Sequence, residues 1–396
     1  MEEYEEQEIE FWRKLEETDM SRSQMLKRSV AAAAGLTVLA SPASALAALR
    51  RSGAAPPLKG NSISMKELIA EARKEGKVNV IALPHDWANY GESISTFKKK
   101  YGLAMDETNP GGTSAQENEA IRSLKGDPRA PDSVDVTVAL AVGGTREGLY
   151  GKYFVRTFST IPRAMKDTRG FWWADYWGAV SIGYNQNLVS NPPKSFKDLL
   201  KPEYKGKVAL NGSPLQSGSA IAGVFAAALA NGGSAQDVGP GIDWWAQLKK
   251  VGNYIPIQTT PQTVASGQTP ISIEWDYNNL AYVKEFPAAR WKVNIPTDGV
   301  YGGYYVQAIN ATAPHPWAAR LWQEFLFSDQ GQILWLKGYT HPARFNDLAK
   351  RNKLPKALLN ALPPPAIYAK AKFASVSQQS VAEAKIVAEW PSKVGA

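Results

Sequence analysis

Several short segments bring together side chains that could hold a charged solute. Glu274 and Asp276, in 274-EWDY-277 with Trp275 and Tyr277, end an apolar run and lie on one side of a strand at period two. Two neighbouring carboxylates repel unless a cation sits between them, so the pair points to an amine or a metal ion. Asp276 as the N-cap of a following helix is the competing reading. In 85-HDWANY-90, Asp86 and Trp87, with Asn89 beside them, offer a charge-assisted hydrogen bond and a cation–π face worth about 0.5–2 kcal/mol. The alternative there is an aspartate cap and a core tryptophan. In 171-FWWADYW-177 the rings are too many for one strand face, so some must line a surface, and Tyr176 has a hydroxyl as a polar handle. Ser217 and Gly218, in 216-QSGS-219, stand at a helix start, as do Thr113 and Ser114 after Gly111 and Gly112. Free amides there suit an anionic group, unless the hydroxyls cap the helices themselves. Carboxylates and helix starts together suit a zwitterion; carboxylates alone suit a polyamine.

Composition removes other chemistries. The 396-residue chain has no cysteine, hence no disulfide, thiolate nucleophile or Cys-ligated zinc, and its three histidines, His85, His315 and His341, have no spacing that would put two on one metal. The net charge of +8 comes without a run of interleaved basic and aromatic residues, so nucleic acid is not an expected partner. No nucleophile elbow is present, and Glu274 and Asp276 stand too close together for the carboxylate separation of about 5 Å or more that glycoside hydrolysis needs. An exported hydrolase is therefore the weaker reading.

The elements that must position these residues alternate between strand and helix. Ser64 to Glu67 fits a capping box opening a helix that stops at Gly76, and 77-KVNVIAL-83 follows as a strand ending in the loop 84–91. The pattern repeats through 102-GLAMDE-107, 134-VDVTVAL-140, 207-KVALNG-212, 271-ISIEWDY-277 and 304-YYVQAIN-310. This is an α/β chain with mainly parallel sheet, and its ligand belongs beyond the carboxyl ends of the strands, at loops 84–91, 108–114, 171–178, 213–219 and 274–277. Upstream, residues 20–48 read as a signal peptide: basic Arg22, Lys27 and Arg28, an apolar core from Val30 to Ala40, and small residues at Ala43, Ala45 and Ala47. The segment resembles a twin-arginine box with Ser23 where the second arginine belongs. Without cysteine there is no lipid anchor.

From about Ser64 onward the chain resembles the extracellular solute-binding proteins of bacterial polyamine, ferric-iron and related ABC importers, on 179-AVSIGYNQNLV-189, 192-PPKSFKDLLKPEYKGKVAL-209 and 304-YYVQAINATAPHPWAARLWQEFLFSDQGQ-332. The resemblance implies a type II periplasmic-binding-protein fold of two α/β lobes joined by crossing strands, with the ligand in the cleft. The expected layout is a signal peptide with an acidic extension over 1–48, a flexible leader over 49–63, lobe 1 over 64–182 and 305–340, lobe 2 over 183–304, and C-terminal helices over 341–396. It implies a non-enzymatic, cofactor-free, monomeric protein, exported to the periplasm or beyond, that hands its solute to permease subunits. Polyamines such as spermidine or putrescine lead; an aminophosphonate, thiamine or ferric iron is the alternative. Tyr301, Tyr304 and Tyr305 invite the ferric reading, but adjacent strand residues face opposite ways, so no metal ligands are assigned. The candidate ligand-binding set is Asp86, Trp87, Asn89, Thr113, Ser114, Tyr176, Ser217, Gly218, Glu274, Trp275, Asp276, Tyr277 and Tyr304.

Overall fold

The structure is a computed structural model and describes residues 58–395; the signal peptide and most of the leader expected from the sequence lie outside the described residues. The end of that leader is built into the fold: Leu58–Lys59 pairs in parallel with Tyr153–Phe154.

Helix α1 (Met65–Glu75) begins as its capping box dictates. Ser64 Oγ accepts from Glu67 N at 3.1 Å, Glu67 Oε2 accepts from Ser64 N at 3.0 Å, and Gly76 at φ 79° closes the helix. The chain then alternates through β1 (Lys77–Ile81), α2 (Tyr90–Tyr101), β2 (Ala104–Thr108), α3 (Ser114–Ser123), β3 (Ser133–Thr137) and α4 (Val138–Arg146). Long β4 (Trp173–Asn185) follows, then β5 (Val208–Leu210), α5 (Gly218–Ala230), α6 (Gly239–Lys250), α7 (Pro261–Ala265), β6 (Ile271–Trp275), α8 (Asp276–Glu285) and β7 (Trp291–Asn294). The principal elements after these are β8 (Gly302–Asn310), α9 (Pro316–Leu326), α10 (Asp329–Lys337), β9 (His341–Pro342) and α11 (Val376–Lys393).

One sheet carries the strands in the order β2-β1-β3-β8-β4-β6-β5. Its two ends are parallel, β1 with β2 and β3 on one side and β5 with β6 on the other, as βα alternation requires. The middle is antiparallel, because β4 and β8 run through from one end to the other. Mainly parallel pairing is thus confined to the ends.

Two expectations change here. Residues 171–178 are no surface loop: Trp173 to Asn185 is strand, and every residue in it is buried. A strand covered on both faces needs no solvent side, so the rings of Trp173, Tyr176 and Trp177 all find partners in the core. The apolar run 134–140 splits at Val138, where β3 gives way to α4.

Candidate functional site

The carboxyl ends of β1, β2, β3, β5 and β6 converge on a cavity of about 220 Å³. Its walls come from both ends of the sheet: Asp86, Trp87 and Tyr90 after β1, Gly111 to Ser114 after β2, Glu117 of α3 and Asp135 of β3, faced by Asn211, Gln216 to Gly218, Gln258 to Pro261, Asn278 and Tyr282. Tyr305 of β8 completes the lining. Among the described residues, no Lys, Arg or His lines it.

Of the residues expected at the site, Asp86, Trp87, Thr113, Ser114, Ser217 and Gly218 line this cavity. Asp86 is exposed at the mouth. Trp87 is fixed by its Nε1, which donates to Tyr176 Oη at 2.8 Å, and by edge contacts with Tyr277 and Tyr305 at 5.7 and 5.9 Å. Thr113 and Ser217 cap α3 and α5, Thr113 Oγ1 accepting from Gln116 N at 3.4 Å and Ser217 Oγ from Ala220 N at 3.3 Å. Ser217 Oγ also donates to Asn211 O at 2.7 Å. Thr260 caps α7 likewise.

The remaining seven do not line the cavity. Asn89 precedes α2 at φ 66° and donates to Leu334 O at 3.0 Å. Tyr176 and Tyr277 are fully packed beneath Trp87. Trp275 flanks a smaller crevice behind the cavity, and Tyr304 donates to Ala164 O at 3.0 Å. Glu274 and Asp276 do not act together, because α8 begins at Asp276 and ends the period-two alternation. Asp276 Oδ1 accepts from Ala179 N and Tyr277 N, both at 3.0 Å, and Oδ2 from Tyr368 Oη. Glu274 sits one layer behind the wall: Oε2 accepts from Asn211 Nδ2 at 3.0 Å and Asn278 Nδ2 at 3.2 Å, and Oε1 from Ser272 Oγ at 2.7 Å. Burial pushes its carboxyl up to about 7 against those hydrogen bonds.

The residues missed are the ones at the floor. Asp135 Oδ2 accepts from Tyr90 Oη at 2.7 Å, its backbone N–H donates to Glu117 Oε2 at 2.8 Å, and Oδ1 takes no hydrogen bond of ordinary geometry, with the Tyr176 hydroxyl the other donor near the carboxyl. Behind it, Gln307 Nε2 donates to Tyr90 Oη and to Asp175 Oδ2, both at 2.9 Å. Burial pushes Asp135 up to about 7 against the hydroxyls of Tyr90 and Tyr176, and burial with the neighbouring Asp135 charge raises Glu117 well above the carboxylate range. A carboxylate inside the valine run 134-VDVTVAL-140 was the available signal, since a buried charge needs a reason. Asn278 Oδ1 and Thr259 Oγ1, on the opposite wall, are likewise buried without partners.

Tyr305 owes its place to a β-bulge. On β4, Asp175 and Tyr176 stand opposite the single residue Tyr305, between the pairs Tyr304 with Trp177 and Val306 with Ala174. Tyr305 Oη takes Trp275 Nε1 at 3.5 Å while Tyr304 turns away, so the two hydroxyls do not converge on one ion.

A family model for bacterial extracellular solute-binding proteins matches residues 145–365, more than half of the chain. No curated protein matches it. Similar solved structures include the periplasmic binding protein AfuA from Actinobacillus pleuropneumoniae with fructose-6-phosphate bound, at 19% identity and TM-score 0.64 over 80% of this chain and 98% of that one. A ferric binding protein from Campylobacter jejuni gives 18% identity and TM-score 0.59 over 79% and 98%. A protein from Listeria monocytogenes assigned to a spermidine/putrescine ABC transporter gives 14% and 0.60 over 80% and 99%. These likenesses establish the type II periplasmic-binding-protein fold.

Proposed function

Because the chain belongs to the bacterial extracellular solute-binding protein family, the substrate-binding components of ABC transporters, we propose that its cleft captures a small organic cation, with polyamines the leading class, and presents it to membrane permease subunits. One observation carries this reading: Asp86, Glu117 and Asp135 line a cavity that contains no cationic side chain among the described residues, beside the rings of Trp87, Tyr90, Tyr282 and Tyr305. A cation there is attracted by the carboxylates and by the ring faces. The fold itself does not choose, since the similar structures are a ferric binding protein, a protein with a sugar phosphate bound and one assigned to a polyamine transporter. The protein acts outside the cytoplasm as a carrier; solute gripped from both sheet ends favours a closed arrangement that the permease reads.

A second reading is a zwitterion such as an aminophosphonate, favoured by three helix starts, at α3, α5 and α7, opening on the same cavity. A thermal-shift screen of residues 49–396 against spermidine, putrescine, thiamine, an aminophosphonate and ferric citrate separates them. Ligand at about a hundred times its dissociation constant adds about 2.7 kcal/mol, a shift of several degrees. Stabilisation by spermidine or putrescine, lost in Asp135→Ala, supports the cationic reading. Stabilisation by the phosphonate alone, or by ferric citrate alone, overturns it.

A further inference from the structure

The cavity floor carries more negative charge than its surroundings neutralise. Glu117 is 1% exposed and Asp135 7%, and the 2.8 Å bond from Asp135 N to Glu117 Oε2 holds the two residues side by side. The groups facing them are neutral or negative: Tyr90 from α2, Asp175 and Tyr176 from β4, Tyr305 and Gln307 from β8, Tyr150 beyond Glu117, and Asp86 at the mouth. Two ionised carboxylates at such depth, with no cation, repel each other and forgo hydration; the arrangement holds only if the pair is not fully ionised.

We propose that Glu117 and Asp135 form a cation subsite that holds one proton between them when the cleft is empty and exchanges it for the N–H-bearing head of the solute. This rests on the cationic reading above. The exchange balances. One proton on two carboxylates leaves a charge of minus one; the ionised pair with one ammonium group also carries minus one, and the displaced proton leaves to bulk water. The buried charge therefore does not change on binding, and Asp135 Oδ1, which takes no hydrogen bond of ordinary geometry, gains a strong donor. If the two carboxyls share one proton in this way, the released proton belongs to the pair and to neither residue alone. Capture is then strongest where the pair has already lost its proton, and weakens as pH falls.

The test has one arm with ligand and one without. Titration calorimetry of wild type with spermidine at pH 6.5, in buffers of different ionisation enthalpy, is expected to read release of about one proton, with affinity falling up to about tenfold per pH unit below about pH 7. Asp135→Asn abolishes the buffer dependence and weakens binding. Without ligand, a carboxyl raised in the folded state gives stability that is full below its unfolded value of about 4 and is lost as pH rises through about 7. The melting temperature of Asp135→Asn minus that of wild type should therefore widen between pH 5 and pH 8.5, by about 2 °C or more. Glu117→Gln serves the same purpose if Asp135→Asn does not fold.

Spermidine binding with the same enthalpy in every buffer overturns the exchange and leaves the cationic reading standing. A ligand-free difference that stays flat with pH overturns the held proton. If no amine binds, the cationic reading fails and the exchange falls with it.

Discussion

Trp87 is where the cationic reading is most open to a direct test. Its indole is held upright by the 2.8 Å bond to Tyr176 Oη and by rings at 75° and 88° to its plane, so it offers the cavity a rigid face at little entropic cost. Trp87→Ala removes that face and leaves Tyr176 Oη without its donor. The expected loss in spermidine affinity is about 2- to 30-fold, equivalent to about 0.5–2 kcal/mol, read by calorimetry. Glu274 differs, because it stands behind the cavity wall and holds the side chains of Asn211 and Asn278, which line it. Glu274→Ala leaves Asn278 Nδ2 without its acceptor and Asn211 Nδ2 with Thr259 O alone, and should cost about 1–3 kcal/mol of stability as well as affinity, measured by denaturant unfolding. Glu274→Gln keeps a carbonyl acceptor and should recover much of both. If alanine and glutamine bind alike, Glu274 does not position the wall.

At the scale of elements, the start of α5 and the end of β3 approach so closely that Gly218 has no room for a side chain. An added Cβ would stand 2.4 Å from Thr137 Cγ2 and 3.1 Å from Tyr305 Oη, groups carried on strands from the other side of the cavity. Gly218→Ala should therefore hold the two sides apart, weakening spermidine binding by about tenfold or more while lowering stability only modestly, since alanine suits a helix start no worse than glycine in its backbone. Equal affinity in calorimetry would show that the sides need not come this close. The elements themselves were largely legible, because capping and alternation act over a few residues: Ser64, Glu67 and Gly76 fixed α1, and 271-ISIEW-275 was a strand on sight. Their consequences for the site were less so. Tyr304 and Tyr305 differ only in parity, and the bulge opposite them depends on β4, more than a hundred residues away in sequence. The rings of 171–177 looked surplus because nothing local says that β4 is covered on both faces. Asp135 was readable as an anomaly among valines, but its partner Glu117 emerges only when α3 packs over β3.

For the molecule as a whole, the solute-capturing motion must be compatible with α11, which packs on both α4 and α6. Its anchors are unequal. Toward α6, Trp390 is buried near Trp245 at 6.1 Å, Lys393 Nζ meets Asp243 at 2.6 Å, and Lys249 Nζ donates to Val394 O at 2.6 Å. Lys385 Nζ adds a pairing with Asp237 at 3.1 Å, just before that helix. Exposed ion pairs contribute little each, so the buried tryptophan dominates this attachment. No comparable polar anchor ties α11 to α4 among the described residues, which leaves that contact free to slide, as packed helices do in shear motions. If closure moves the two sheet ends relative to each other, α11 should travel with α6 and shift against α4. Since the chain has no cysteine, an engineered pair gives a single unambiguous disulfide. A disulfide between α11 and α6 should leave spermidine affinity within about threefold of wild type, whereas one between α11 and α4 should weaken it about tenfold or more and restore it on reduction. Equal affinity in the oxidised and reduced forms of the α11–α4 pair would mean that capture proceeds without relative movement of the two ends, and that the cleft as it stands is already the binding-competent form.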